Sequence, residues 1–276
     1  LNQPKKLIVV TGPTAVGKTA RAIELALQYG SPVISADSRQ VYKELGIGVA
    51  KPDAEQLAAV QHYFIDHVSI HENYNAGRYA KEARELINKL FLTHDTLVLC
   101  GGTGLYINAL LKGLDPFPDR NETLREELQT IYETEGLAGL QYRLKNLNAA
   151  KFESMDSNNP QRLMRAIEIE QSPQKTEVNL PAFAHAFETE YQHLEMPREV
   201  LYNRINKRVD AMVTGGLEAE AKALENLQHL NALQTVGYSE WWPYFRGEVK
   251  REEVIEKIKQ HTRNYAKRQL TWFRNK

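Results

Sequence analysis

Residues Gly12, Pro13, Thr14, Ala15, Val16, Gly17, Lys18 and Thr19 follow the spacing G-x-x-x-x-G-K-[ST]. That spacing suits phosphate. Glycines let the backbone curl until its amides point at phosphate oxygens. A helix starting at the loop's end adds positive potential. Lys18 then reaches a bridging or terminal phosphate, and the Thr19 hydroxyl can ligate Mg2+. The loop alone does not say which phosphate ester binds, and a glycine turn without a ligand is the plainer alternative.

Many phosphate-loop enzymes place a magnesium-binding Asp after a later apolar strand. Here the run Leu97 to Cys100 ends in Gly101-Gly102-Thr103, with no carboxylate. The acid follows an earlier strand, in Ser35-Ala36-Asp37-Ser38-Arg39-Gln40. Parallel neighbours end at one sheet edge, so Asp37 is expected beside the loop. It can orient an acceptor, take a proton or assist magnesium; a capping or ion-pair role is the alternative. Thr103, at another strand end, can hydrogen-bond an acceptor or cap the next helix. His62, His67 and His71 lie in loop-like sequence with no cysteine near, so no histidine metal site is expected. Cys100 reads as buried filler rather than a nucleophile.

These residues need a scaffold. Leu7 to Thr11 reads as a buried strand, Ala20 to Tyr29 as a helix ended by Gly30 and Pro32, and Pro32 to Ala36 as a second strand. This order opens an α/β fold with a parallel sheet. Ala54 to Val60 and Tyr79 to Leu90 read as helices, Thr96 to Cys100 as a strand, and a helix begins near Leu105. Asp115 to Pro118 looks like a linker. From Glu122 to Gln171 the pattern is helical and more polar, with Asn159-Pro160 as a helix start and Arg162 and Arg165 on one face. That stretch reads as a helical subdomain inserted in the core. The expected division is a core of residues 1–114 and 190–276 with an insertion of 115–189. Later, His193 to Met196 reads as a returning strand. Pro197 to Val213, Leu217 to Leu230 and Glu252 to Phe273 read as helices, the first carrying Arg204, Lys207 and Arg208.

The 276 residues are 42% hydrophobic and 25% charged, which excludes a mostly disordered chain. No run of about 18 apolar residues exists, so no membrane span is expected. The start of the chain gives no support for secretion, and one cysteine suits a reducing compartment, so a cytoplasmic location is expected. Lys+Arg and Asp+Glu balance at 35 each, yet the last twenty residues carry seven basic side chains and no acid. Arg125, Arg162, Arg165, Lys267, Arg268 and Arg274 can therefore meet a phosphate backbone, with Tyr265, Trp272 and Phe273 able to stack on bases. A solvated basic face and ordinary core packing are the alternatives.

Seven segments together resemble the tRNA dimethylallyltransferases, also called tRNA isopentenyltransferases. They are Gly12–Thr19 (GPTAVGKT), Asp37–Pro52 (DSRQVYKELGIGVAKP), His62–His67 (HYFIDH), Gly101–Tyr106 (GGTGLY), Asn159–Glu168 (NPQRLMRAIE), Val236–Tyr238 (VGY) and Thr262–Arg274 (TRNYAKRQLTWFR). The resemblance implies a P-loop NTPase-like core with an inserted helical tRNA-binding subdomain, acting as a monomer. It implies transfer of a dimethylallyl group from dimethylallyl diphosphate to N6 of adenosine 37, in the anticodon stem-loop of tRNAs reading codons that begin with U. Diphosphate leaves, with Mg2+ at Thr19 and Lys18 offsetting its charge.

By the same resemblance, Asp37 matches the general base and Thr103 a residue of the acceptor channel. Asp37, Ser38, Arg39 and Gln40, together with Gln161, Arg162, Leu163, Met164 and Arg165, match tRNA-contacting segments. Arg125 matches a further tRNA contact, and the loop from Gly12 to Thr19 cradles the diphosphate. Val49 stands where the family usually has Thr. Gln234 stands where some members carry an Arg near the diphosphate, and the sequence assigns no other residue to that charge. The stretch from about Gln171 to His193 is short and irregular against the family. A kinase of a small nucleoside or metabolite, an adenylate isopentenyltransferase and a non-enzymatic RNA-binding module are the competing readings.

Overall fold

A computed structural model describes residues 4–114, 121–172, 182–183 and 187–274. The expected linker at Asp115 to Pro118 lies outside them. The chain divides into two compact units, one formed by Leu1–Lys112 and Ala182–Lys276, the other by Gly113–Pro181.

The first unit is α/β. Its strands are β1 (Lys5–Thr11), β2 (Val33–Ser35), β3 (His62–Tyr63), β4 (Thr96–Cys100) and β5 (Phe187–His193). They form one sheet in the order β3-β2-β4-β1-β5, every described pairing being parallel. The register sets Ile8 beside Val98 and Val10 beside Cys100. Leu7 to Val10 and Leu97 to Leu99 are at most 1% exposed, because strands covered on both faces must be apolar throughout. Edge strand β5 differs: Glu188, Glu190 and Gln192 interrupt its apolar positions. The expected strand at His193 to Met196 is therefore corrected to Phe187–His193. An edge strand open to solvent carries no continuous apolar run to reveal it.

Helices connect the strands. α1 (Lys18–Tyr29) starts at the phosphate-loop lysine and ends on Gly30, whose φ of 59° puts it in the left-handed region. α2 is Ala54–Ala59, capped by Asp53 and Gln56 in a reciprocal capping box. α3 (Ala76–Leu90) begins three residues before the expected Tyr79, because the Asn75 side chain caps it by accepting from the Arg78 N–H. α4 is Gly104–Lys112.

The second unit is helical: α5 (Glu122–Leu147), α6 (Ala149–Ser154) and α7 (Pro160–Gln171). α5 breaks at Gly136, whose φ of 67° and ψ of −159° are not helical. Leu128, Leu140, Leu144, Leu163, Met164 and Ile167 form this unit's core. Asn159 caps α7 by accepting from the Arg162 N–H at 3.2 Å, and Pro160 opens the helix.

The chain re-enters the first unit through β5 and continues as α8 (Arg198–Thr214), α9 (Leu217–Ala223), α10 (Trp241–Phe245) and α11 (Arg251–Arg274). The helix expected to run to Leu230 stops at Ala223 and gives way to two 3-10 turns, Glu225–Leu227 and Asn231–Leu233. Short helix α10 is not foreseen from the residue pattern; it is fixed by Trp241, which is fully buried. Parallel strands bring Thr11, Ser35, Cys100 and His193 to one sheet edge, and the loops beyond them build the site.

Candidate active site

Beyond β1 the chain must turn sharply. Gly12 has φ 144°, and a Cβ there would lie 2.5 Å from the Leu194 carbonyl oxygen. Gly17, at φ 110°, leads directly into α1. Ala15 and Val16 anchor the loop by packing against Leu201, Ile205 and Ala266. The loop is thus held from behind while its front faces a cavity of about 830 Å³ lined by Thr14, Gly17, Lys18, Thr19, Asp37 and Arg208 among others. Lys18 Nζ donates to the Pro13 carbonyl at 2.8 Å. Burial pushes the Lys18 ammonium down to about 8, and Arg208 adds to this; Cys100 and Asp37 pull the other way.

Two further side chains complete the loop from distant sequence. On α8, Leu201, Ile205 and Val209 form the buried stripe, which leaves Arg204 and Arg208 on an adjoining face that lines the cavity. Arg208 donates to the Thr14 hydroxyl at 3.3 Å, and its pKa is lowered by burial and by Arg204. On α11, the buried Gln269 accepts from the Thr14 N–H at 2.7 Å and donates to the Gly102 carbonyl at 3.0 Å.

Asp37 follows β2. Its Oδ1 accepts from the backbone N–H groups of Arg39 (2.9 Å) and Gln40 (3.2 Å), a local turn that fixes the carboxylate. Its Oδ2 has no hydrogen-bond partner among the described residues. The Ser38 N–H donates to Thr103 Oγ1 at 3.0 Å, and that hydroxyl donates to Ser38 Oγ at 3.3 Å. Thr103 therefore locks the turn after β2 to the turn after β4. Tyr265, from α11, is pushed up to about 12 by burial and the nearby Asp37, so its phenol stays neutral. Burial likewise pushes the Cys100 thiol up to about 11, which keeps it protonated and unreactive as a nucleophile.

The far wall is a clamp. Glu220 accepts from the N–H groups of Ile47 (2.9 Å) and Gly48 (3.1 Å) and from the Tyr238 hydroxyl (2.5 Å). Gln40 donates to the carbonyls of Val49 (3.2 Å) and Ala50 (2.9 Å). Valine at position 49 keeps that backbone contact. Arg39 donates to the Asn231 and Ala232 carbonyls.

The donor set fits a magnesium ion held jointly with a phosphate ester. The Thr19 hydroxyl lines the cavity and makes no hydrogen bond among the described residues. No group of three or more His, Cys, Asp or Glu among those residues is arranged to hold a metal. A Mg2+ ion there would draw on the Thr19 hydroxyl together with substrate and water oxygens, as is usual for that ion.

The sequence profile of the IPP transferase family matches residues 40–276. The chain belongs to the IPP transferase family. It is similar to the tRNA dimethylallyltransferase of Cytophaga hutchinsonii, at 46% identity over 98% of this chain and 90% of that one. The corresponding protein of Flavobacterium johnsoniae is 44% identical over 98% of this chain and 90% of its own length. Among solved structures, the tRNA isopentenylpyrophosphate transferase of Bacillus halodurans superposes with a TM-score of 0.72 and 37% identity, covering 99% of this chain and 88% of that one. A eukaryotic dimethylallyltransferase acting on tRNA matches with a TM-score of 0.72 and 26% identity, covering 97% of this chain and 69% of its own.

In this IPP transferase the residues singled out from sequence fall into two groups. The loop from Gly12 to Thr19, Asp37 to Gln40 and Thr103 come together in the α/β unit. Arg125, Gln161, Arg162 and Arg165 belong to the helical unit. There Glu168, whose side chain is 1% exposed, accepts from Arg125 at 3.1 Å and Arg165 at 3.2 Å, while Arg125 also donates to Gln161 at 2.6 Å. Arg162 is 60% exposed beside Asp156. Leu163 and Met164, in the segment matched to RNA contact by the resemblance, are 0% and 1% exposed, and their side chains pack in this unit's core.

Sequence reasoning misses Arg208 and Gln269 as cavity residues and Glu220 as the support of the Ile47 and Gly48 backbone. Arg208 is visible there only as one of several basic residues on α8. Gln234 itself donates to the Gln228 carbonyl at 2.7 Å. Spacing four apart beside an apolar stripe is the available signal for Arg204 and Arg208.

Proposed function

We propose that this IPP transferase moves the dimethylallyl group of dimethylallyl diphosphate onto N6 of adenosine 37 in the anticodon stem-loop of tRNAs that read codons beginning with U. The observation that carries the reading is one cavity lined both by Thr14, Ala15, Gly17, Lys18 and Thr19 of the phosphate loop and by Asp37, whose Oδ2 has no hydrogen-bond partner among the described residues. The loop amides, Lys18 and Arg208 bind the diphosphate and stabilise the charge that grows on it as the allylic C–O bond breaks. Mg2+, bound through Thr19, supplies further charge neutralisation there. The N6 amine forms the new bond to the allylic carbon, and Asp37 Oδ2 takes its proton. Thr103 and Tyr265 border the acceptor. The target adenine leaves its loop stack to enter, which costs less for a loop base than for a paired one.

Arg162 of the helical unit offers an exposed cation to the RNA backbone. The phosphate loop, the base and the acceptor turn all come from a single chain, so a monomer suffices. Among the described residues no helix is long and apolar enough to cross a membrane, and a tRNA substrate fits a cytoplasmic enzyme. The test mixes the protein with Mg2+, dimethylallyl diphosphate and unmodified tRNA and looks by mass for N6-dimethylallyladenosine. Parallel arms replace the donor with ATP or the acceptor with AMP. Phosphoryl transfer from ATP would favour a kinase instead, and efficient prenylation of AMP would favour a free-nucleotide transferase.

A further inference from the structure

The two halves of the cavity meet at one side chain. Gln269 is the buried polar residue of α11 among the described residues, 5% exposed. Its amide orientation is fixed by its partners, because the Thr14 N–H must face oxygen and the Gly102 carbonyl must face nitrogen. Those partners lie on different loops. Thr14 belongs to the phosphate loop after β1, and Gly102 immediately precedes Thr103 in the turn after β4. Beyond the Gly101 N–H to Val10 carbonyl bond of 3.1 Å, no backbone hydrogen bond joins these loops among the described residues. The space between them is full. A Cβ on Gly102 would overlap Gln269 Nε2 and lie 3.6 Å from Lys18 Nζ. Gly102 does not have the positive φ that favours glycine, so room for Gln269 and Lys18 is what its missing side chain provides.

We propose that Gln269 is a positioning residue that sets the gap between the departing diphosphate and the incoming amine. This rests on the prenyl-transfer reading above. Through Thr14 it holds the loop that carries the diphosphate. Through Gly102 it holds the turn whose Thr103 binds the Ser38 amide, beside Asp37. Orientation of reacting groups is worth orders of magnitude, and a displacement of about 1 Å can cost about 10²-fold. When the amine stands too far from the allylic carbon, water takes its place. The C–O bond breaks with its electron pair leaving on diphosphate, a water oxygen bonds to the carbon, and the water's proton passes to solvent. The product is dimethylallyl alcohol.

The experiment compares the intact protein with Gln269→Met, which keeps length but makes neither hydrogen bond, and with Gly102→Ala, which leaves Gln269 in place but displaces its amide. Each is given Mg2+, dimethylallyl diphosphate and unmodified tRNA, and both modified adenosine and dimethylallyl alcohol are measured. The expected result is transfer slowed about 10- to 100-fold, with KM for each substrate within about threefold. The ratio of alcohol to modified adenosine rises about tenfold in both variants. A merely structural role would lower the active fraction and leave that ratio at the wild-type value, which would overturn the proposal. If Gln269→Met does not fold, the product ratio of Gly102→Ala decides the question by itself. A wild-type protein that forms neither product would instead overturn the prenyl-transfer reading itself.

Discussion

Around the phosphate loop Lys18 and Arg208 stand without a carboxylate ion pair among the described residues, whereas in the helical unit Arg125 and Arg165 share one. Lys18 donates to a carbonyl and Arg208 to a hydroxyl, and neither has an ion pair among the described residues. Arg125 and Arg165 converge on the buried Glu168. The first arrangement is electrostatically incomplete until an anion arrives, and the lowered pKa of Lys18 is the physical sign of that strain. The second is complete without a ligand, and removing either side would leave a buried charge uncompensated. Uncompensated cations in a cavity mark a binding site; compensated ones mark scaffold.

Asp37 is the residue that breaks this contrast most sharply if it is misread. If it served only to balance Lys18 or to shape its turn, Asp37→Asn would keep activity, because Asn retains the Oδ1 acceptor for the Arg39 and Gln40 amides. As the base, both Asp37→Asn and Asp37→Ala lose about 10²–10⁴-fold in single-turnover prenyl transfer. Binding of tRNA stays within about threefold of wild type. Rapid-quench measurement of modified adenosine, beside tRNA binding, separates the two roles.

The difference between the regions also governs what the sequence discloses. The phosphate loop, β1 and β4 are legible because their chemistry is local: a fixed spacing of glycines, and apolar runs buried on both faces. β5 is not, since an edge strand bearing Glu188, Glu190 and Gln192 has no such run. Arg208 meets Thr14 across 194 residues and Gln269 meets it across 255, so only the folded sheet edge brings them together. In the helical unit the Arg-rich segment is legible as a motif, but its division into scaffold (Arg165 on Glu168) and exposed cation (Arg162) depends on burial that no pattern of residue types specifies.

Arg208→Ala sharpens the comparison next. A hydrogen bond to a charged group is worth about 1.5–3 kcal/mol, so kcat/KM for the diphosphate donor is expected to fall about 10- to 100-fold. Affinity for tRNA alone stays near wild type. Equal losses for both substrates would mean that Arg208 supports the fold of the loop rather than its anion.

Lys18 gives the comparison a pH signature. In the free protein its ammonium is held near 8, so donor kcat/KM is expected to fall as pH rises through about 8, by about tenfold per unit above it. Stability should move the other way. An unfolded lysine titrates near about 10.4, so between about 8 and 10.4 the unfolded chain holds more protons than the folded one, and this group's contribution to stability rises with pH. Loss of donor use without thermal destabilisation across that window identifies Lys18. A profile flat to about pH 9.5 would remove the claim that its charge is what the donor meets.

The smallest effect tests the scaffold side. Arg162 is 60% exposed and its partner Asp156 is 48% exposed at 3.4 Å, a pair worth little to stability. Arg162→Ala is expected to leave urea unfolding unchanged, to weaken tRNA binding about threefold at about 0.1 M salt, and to reduce the slope of log K against log salt by about one. Arg125→Ala should do the reverse. It strips a partner from the buried Glu168, so unfolding shifts first and any loss of RNA affinity follows from the disturbed helix pair. If instead Arg125→Ala lowers the salt slope with no change in stability, its guanidinium meets phosphate directly, and pairing with a buried carboxylate no longer distinguishes scaffold from site.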